Sequence, residues 1–157
     1  MSRRLGDMLT DDLMARFDPK QFPALADRVL VLLSVDAEGR PHPAMVTHRE
    51  TTAKDPRNIR LALWKGSSTC RNLAERHGCT LVVVDAGLTY YIKGRAAELR
   101  PAMDGLPYLT LFNLAVEEVL EDVEPEEPIT SGITFRIKDR EQYLSTGEEI
   151  LKAALLP

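Results

Sequence analysis

Cysteine is nearly absent from this chain: 157 residues hold only Cys70 and Cys79. Two cysteines cannot build a disulfide framework, and these two do not stand at metal-ligand spacing. Reduced, unpaired thiols are expected. Histidine is equally sparse. His42, His48 and His77 are far apart in the pattern, without Asp or Glu at ligand spacing, so no metal site is expected. Long hydrophobic runs are missing too. The longest, "VLVLLSV" (Val29–Val35), is far too short to cross a bilayer as a helix. The opening "MSRRLGDMLTDDL" has two arginines but no apolar h-region, so a cytoplasmic protein is expected. A basic excess is lacking as well: 20 Lys and Arg stand against 24 Asp and Glu, for a net charge of −4. No nucleic-acid or membrane partner is expected from that balance. Any bound phosphate must then be met by a local cluster of donors. There is no Walker pattern, no GxGxxG and no GxSxG elbow.

What remains is an ordinary globular balance, with 44% hydrophobic and 28% charged residues. The length favours one domain over residues 1–157, with a barrel core at about 27–139 and helical extensions at both ends. "TDDLMARF" reads as a short helix capped by Thr10. "VLVLLSV" reads as a strand buried on both faces, and "DAEGR" as a hairpin loop. "PHPAMVTHRE" (Pro41–Glu50) is a second strand whose prolines suit an edge. "TTAKDPRN" reads as a polar loop and "IRLALW" as a third strand. "TCRNLAERHG" is a short helix closed by Gly78. "CTLVVVD" and "TYYIKGRAAELR" are strands four and five, with a bulge at Gly94. In "MDGLPYLTLFNLAVEEVLEDV", Leu109, Phe112, Val116 and Val119 have helical spacing. "EPEEP" is an acidic surface loop, "SGITFRIKD" (Ser131–Asp139) a sixth strand, and "GEEILKAALL" a closing helix. Consecutive strands with few intervening helices predict a mainly β (α+β) fold: a six-stranded antiparallel split β-barrel with short flanking helices.

The stretch "LALWKGSSTCRNL" carries the chemistry. An apolar strand stops at Lys65-Gly66, and three hydroxyl residues, Ser67, Ser68 and Thr69, lead into a helix. One reading is a plain helix cap. The other is an anion cradle: hydroxyls, unpaired helix-start amides, Arg71 and Lys65, with Gly66 allowing close backbone approach. Trp64 belongs to the core or flanks a flat ligand. Cys70 is either packed or activated by the helix start. His48 lines a pocket or faces solvent. No side chain stands out as acid, base or nucleophile.

Taken in order, "LLSVDAEGRPHPAMV", "IRLALWKGSSTCRNLAERHGCTLVVVD" and "YYIKGRAAEL" resemble the pyridoxamine 5′-phosphate oxidase-like proteins with their FMN-binding split barrel. The resemblance spans about Val29 to Arg100. It implies a homodimer with FMN at the subunit interface and a redox reaction on a small molecule, with reduced nicotinamide as a possible donor. It puts the flavin phosphate at Ser67, Ser68 and Thr69 with nearby basic groups, Lys65 or Arg71. It lays the flavin ring along Met45, Val46, Thr47, His48 and Arg49, with Thr89 approaching it. Thr69 stands where many members have lysine, and Ala44 where the oxidase proper has a phosphate-binding arginine. The true oxidase's C-terminal ending is missing, so pyridoxamine phosphate oxidation is not expected. The family also includes members that use deazaflavin, bind heme, or have no demonstrated cofactor. The alternative reading of this chain is a non-catalytic flavin-, heme- or deazaflavin-binding or sensing protein of the same fold.

Overall fold

The computed structural model describes residues 1–157. Alternating apolar positions and turn residues break the chain into eight strands. They are β1 (Ser2–Gly6), β2 (Val29–Val35), β3 (Pro41–Thr47), β4 (Thr51–Asp55), β5 (Asn58–Trp64), β6 (Gly78–Asp85), β7 (Leu88–Arg100) and β8 (Leu109–Asp122). Four helices accompany them: α1 (Asp11–Arg16), α2 (Phe22–Leu25), α3 (Ser68–Arg76) and α4 (Arg140–Ala154). Neighbouring strands run in the order β3-β2-β6-β7-β8-β5-β4, with β1 also on β8. Every pairing is antiparallel.

Strands that are not neighbours share one core. Leu30 and Leu32 of β2 join Ile59 and Leu61 of β5, Leu81 and Val83 of β6, and Phe112 and Leu114 of β8. A sheet can bring both flanks to one cluster only by curling on itself, which makes this a split barrel. Leu13 and Phe17, from α1 and its C-cap, complete that core. Burying each such side chain contributes about 1.5–3 kcal/mol. The proline-bearing β3 is at one end of the strand order, where missing N–H donors cost least. A second cluster packs Ile150 and Ala154 of α4 on Ala62, Leu109 and Leu111 of β5 and β8. A third packs Leu151 on Phe22 and Ala26.

The fold class stands, with eight strands rather than six, and several local expectations are corrected. Residues 109–122 form a strand, not a helix. Lys93 pairs Glu118 while Gly94 pairs Val116, so Glu117 is an extra residue on β8 opposite the Gly94 step. The inward residues therefore run Phe112, Leu114, Val116, Val119, and the bulge imitates a helical interval. "TTAKD" is β4, not loop. Ser131–Asp139 is not a strand: it makes one isolated bridge, Arg28 with Thr134. It is instead part of a strap across the outer face of the barrel, where Val29 N donates to Ile133 O. β2 is fully buried on one face only, and Val31, Leu33 and Val35 remain partly exposed. His77, with φ 65°, closes α3 in place of Gly78.

Candidate functional site

The end of β5 and the start of α3 build one wall of the site. After Trp64 the chain turns through Gly66 at φ 80°, a backbone region that favours glycine. Ser67 then caps α3, its Oγ accepting from Cys70 N at 3.2 Å. The first-turn amides of Ser68 and Thr69 have no acceptor within the chain. They carry the positive end of the helix dipole. Tyr108 is tied to this turn, because Lys65 N donates to its carbonyl at 2.9 Å. The Trp64 and Tyr108 rings lie 5.3 Å apart.

The opposite wall is β3 with the tight turn that follows it. Thr47 N and Thr47 Oγ1 both donate to the Glu50 carboxylate, at 3.0 and 3.1 Å. That clasp sets Arg49 beside α4. The Arg49 guanidinium carbon lies 4.4 Å from the centre of the Tyr143 ring, a cation–π distance. Its buried Nε donates to no acceptor and is 3.7 Å from Glu50 Oε2, beyond hydrogen-bond reach. Burial pushes the Glu50 carboxyl up, and the Arg49 charge opposes that rise.

Between these walls lies a cavity of about 360 Å³. Of the sequence-predicted residues it brings together Met45, Val46, Arg49, Trp64, Ser67 and Thr69. Ala44, Glu50, Tyr108, Thr146 and Ile150 line it as well. Thr146 and Ile150 come from α4, about eighty residues beyond the cradle, and no local motif in the sequence announces them. Trp64 is 65% exposed at the rim, not core, and Met45 is 70% exposed.

The remaining predicted residues lie elsewhere. Ser68 and Arg71 border a separate polar cleft with His42, Asp36, Glu38 and Glu75. Lys65 is exposed. Thr47 sits beneath the cavity wall, bonded to Glu50 and, at 3.2 Å, to the Tyr143 hydroxyl. His48 neither lines the cavity nor meets solvent: it is 2% exposed and packs 5.4 Å from the Phe17 ring. Thr89 lies on the outer face of β7, against the strap residues Pro128 and Ile129. Cys70 is packed, its thiol bonded to Trp64 O and pushed up by burial. Cys79 is likewise buried and unpaired.

Residues 20–121, which hold the strand and cradle walls of the cavity, match a family model described as pyridoxamine 5′-phosphate oxidase. The chain belongs to this oxidase-like family. It is 30% identical over 152 residues to YclD of Bacillus subtilis (strain 168), an uncharacterized protein, covering 97% of this chain and 94% of that one. Three solved structures share the fold. One, from Lactobacillus delbrueckii and provisionally described as a pyridoxamine 5′-phosphate oxidase, has TM-score 0.60 and 19% identity over 74% of this chain and 98% of that one. An F420 reductase has TM-score 0.51 and 12% identity, covering 59% and 89%. HutZ, a heme storage protein from Vibrio cholerae, has TM-score 0.51 and 18% identity, covering 71% and 99%. No helix is long and apolar enough to cross a membrane.

Proposed function

We propose that this family member binds FMN in the cavity and serves as a flavin-dependent oxidoreductase for a small molecule. One observation carries the reading. A single cavity joins the edge strand at Ala44–Val46, the Trp64–Tyr108 pair, and Ser67 and Thr69 at the start of α3. Free amides and hydroxyls suit a phosphate. Apolar and aromatic walls suit a flat ring. Arg49, with its unpartnered buried Nε, suits an electron-rich ring edge or an anion. FMN would supply hydride or electron transfer, while the chain's residues would bind and orient it. Arg49, in the segment that the resemblance sets along the flavin ring, brings a cation to the same cavity.

The donor set favours a flavin over heme. His48 is buried behind Phe17, His42 belongs to the polar cleft, and His77 Nδ1 is paired with Ala96 O at 3.1 Å. None lines the cavity as an axial ligand would. A homodimer belongs to the same reading. Met45, Trp64 and Tyr108 are exposed apolar groups around one opening, and a second copy would cover them.

The test is the visible spectrum of the purified protein, followed by titration with FMN. Flavin bands, or saturable quenching of flavin fluorescence, are expected. Absence of both, with heme bound tightly instead, would overturn the proposal. Turnover of NADH or NADPH by the loaded protein is expected of an oxidoreductase. Binding without turnover of any donor would leave a flavin carrier or sensor.

A further inference from the structure

Arg49 is held in an unusual way, and the holder comes from outside the barrel. Its guanidinium has a Tyr143 ring on one side at 4.4 Å. It has no hydrogen bond at Nε, and Glu50, whose carboxylate accepts from Thr47 N and Oγ1, pairs with it only at 3.7 Å, beyond hydrogen-bond reach. Tyr143 is itself fixed. Its hydroxyl pairs with Thr47 Oγ1 at 3.2 Å, and its ring meets Phe22 and Phe135 at 6.2 and 5.8 Å between centroids. One turn later, α4 presses Gly147 onto the same arginine. A Cβ there would meet the Phe22 ring at 2.3 Å and Arg49 Cγ at 2.9 Å. The next face of the helix puts Thr146 and Ile150 into the cavity wall.

We infer that Tyr143 is a positioning residue. From α4 it holds the Arg49 guanidinium at the cavity with its N–H edge unspent, so that the site selects a planar aromatic molecule bearing negative charge. A ring stacked on one face of a guanidinium fixes its plane without using a donor. A carboxylate hydrogen-bonded in the same place would fix the plane but occupy the N–H donors. Holding arginine with tyrosine leaves those donors available to a ligand. The inference rests on the reading of this cavity as the FMN site, and it makes the C-terminal helix a working part of that site.

The test has two arms. In the first, FMN is titrated into the wild type, Tyr143→Leu, Tyr143→Phe, Arg49→Ala and the Tyr143→Leu/Arg49→Ala double variant. Thermal melts first confirm that each is folded. Tyr143→Leu is expected to weaken FMN roughly tenfold, between the worth of an exposed and a desolvated cation–π contact. The double variant is expected to be no weaker than Arg49→Ala alone, because Tyr143 acts only through Arg49. Tyr143→Phe keeps the ring and is expected within about threefold of wild type, since only one neutral hydrogen bond is lost. Additive losses, or wild-type affinity in Tyr143→Leu, would overturn the inference. The second arm needs no ligand. The Arg49 Nε–H resonance, assigned by its disappearance in Arg49→Lys, is expected upfield under the tyrosine ring current. It should stay there in Tyr143→Phe and return downfield in Tyr143→Leu. An unshifted resonance in the wild type would overturn the inference even if FMN binds. A shifted one in a protein that never binds FMN would uphold the positioning of Arg49 and sink the cofactor reading instead.

Discussion

Arg49 and Arg71 are twenty-two positions apart in one chain, both exposed in part, yet the fold gives them different surroundings. Arg49 enters the cavity, whereas Arg71 donates to Ser68 Oγ at 3.3 Å in the polar cleft. Arg49→Ala is therefore expected to weaken FMN binding by about 1.5–3 kcal/mol, the range for a hydrogen bond to a charged group. Arg71→Ala is expected to leave it unchanged. Fluorescence titration of the two variants side by side checks this, and the reverse ranking would move the cation to the other side of α3. His48 supports a prediction of another kind. Burial, with the Arg16 charge adding to it, pushes its imidazole from 6.5 down to about 3. Between those values the unfolded chain binds a proton that the folded one refuses. Stability from this group is thus complete above pH 6.5 and is lost as pH falls toward 3, at up to about 1.4 kcal/mol per pH unit. Glu50, whose carboxyl is pushed up by burial, works in the opposite direction above its ordinary 4.5. Denaturant unfolding at pH 4, 5, 6 and 7 should give a flatter pH dependence for His48→Gln than for the wild type. Parallel curves would show that the imidazole titrates freely in the folded protein.

At the scale of elements, two glycines mark where backbone meets backbone. A Cβ on Gly94 would come within 2.0 Å of the Ala115 carbonyl oxygen, at the bulge where β7 and β8 change register. Neither strand can retreat, so Gly94→Ala is expected to cost about 3 kcal/mol, the upper end of overpacking penalties. The urea midpoint measures it. A Cβ on Gly132 would come equally close, 2.0 Å, to the Val84 carbonyl oxygen of β6, but Gly132 itself lies in the strap. Gly132→Ala is expected to lift the strap rather than unfold the barrel. Trypsin should then cut faster at Arg136 and Lys138, while the barrel's own melting changes little. An unaltered cleavage rate would mean that the strap is held elsewhere. The strap and β8 are also, like β4, elements that sequence reading misassigned, and for separable reasons. In β8 the extra residue Glu117 shifts an alternating pattern into an interval of three, and periodicity cannot distinguish that from a helix. In Ser131–Asp139 the alternation is real, but the segment crosses the outer face of the barrel and pairs with it only at the Arg28–Thr134 bridge.

For the whole molecule, the open question is what covers the apolar rim. Met45 is 70%, Trp64 65% and Tyr108 41% exposed, and the outer-face residues Val31, Leu33 and Val35 of β2 are only partly covered. Light scattering is expected to report twice the mass of the chain. Trp64→Glu should shift the protein toward monomer and weaken FMN together, since one surface would serve both. A monomeric wild type that binds FMN fully would separate the two roles.

What the sequence determined by itself was local or ordered along the chain: the Thr10 and Ser67 caps, the proline edge at β3, and the series of strands around the KGSST turn that marks the family. These follow from near-neighbour chemistry, since a hydroxyl at the residue before a helix start can cap the first amides whatever the rest of the fold. The tertiary structure decided which cation enters the cavity, that His48 is buried, that Trp64 is a rim, and that α4 completes the site through Tyr143, Thr146 and Ile150. Those facts depend on barrel closure and on where the last helix docks. Both are settled by apolar contacts between segments far apart in the chain, such as Leu151 with Phe22 and Ile150 with Ala62, and no local spacing encodes them.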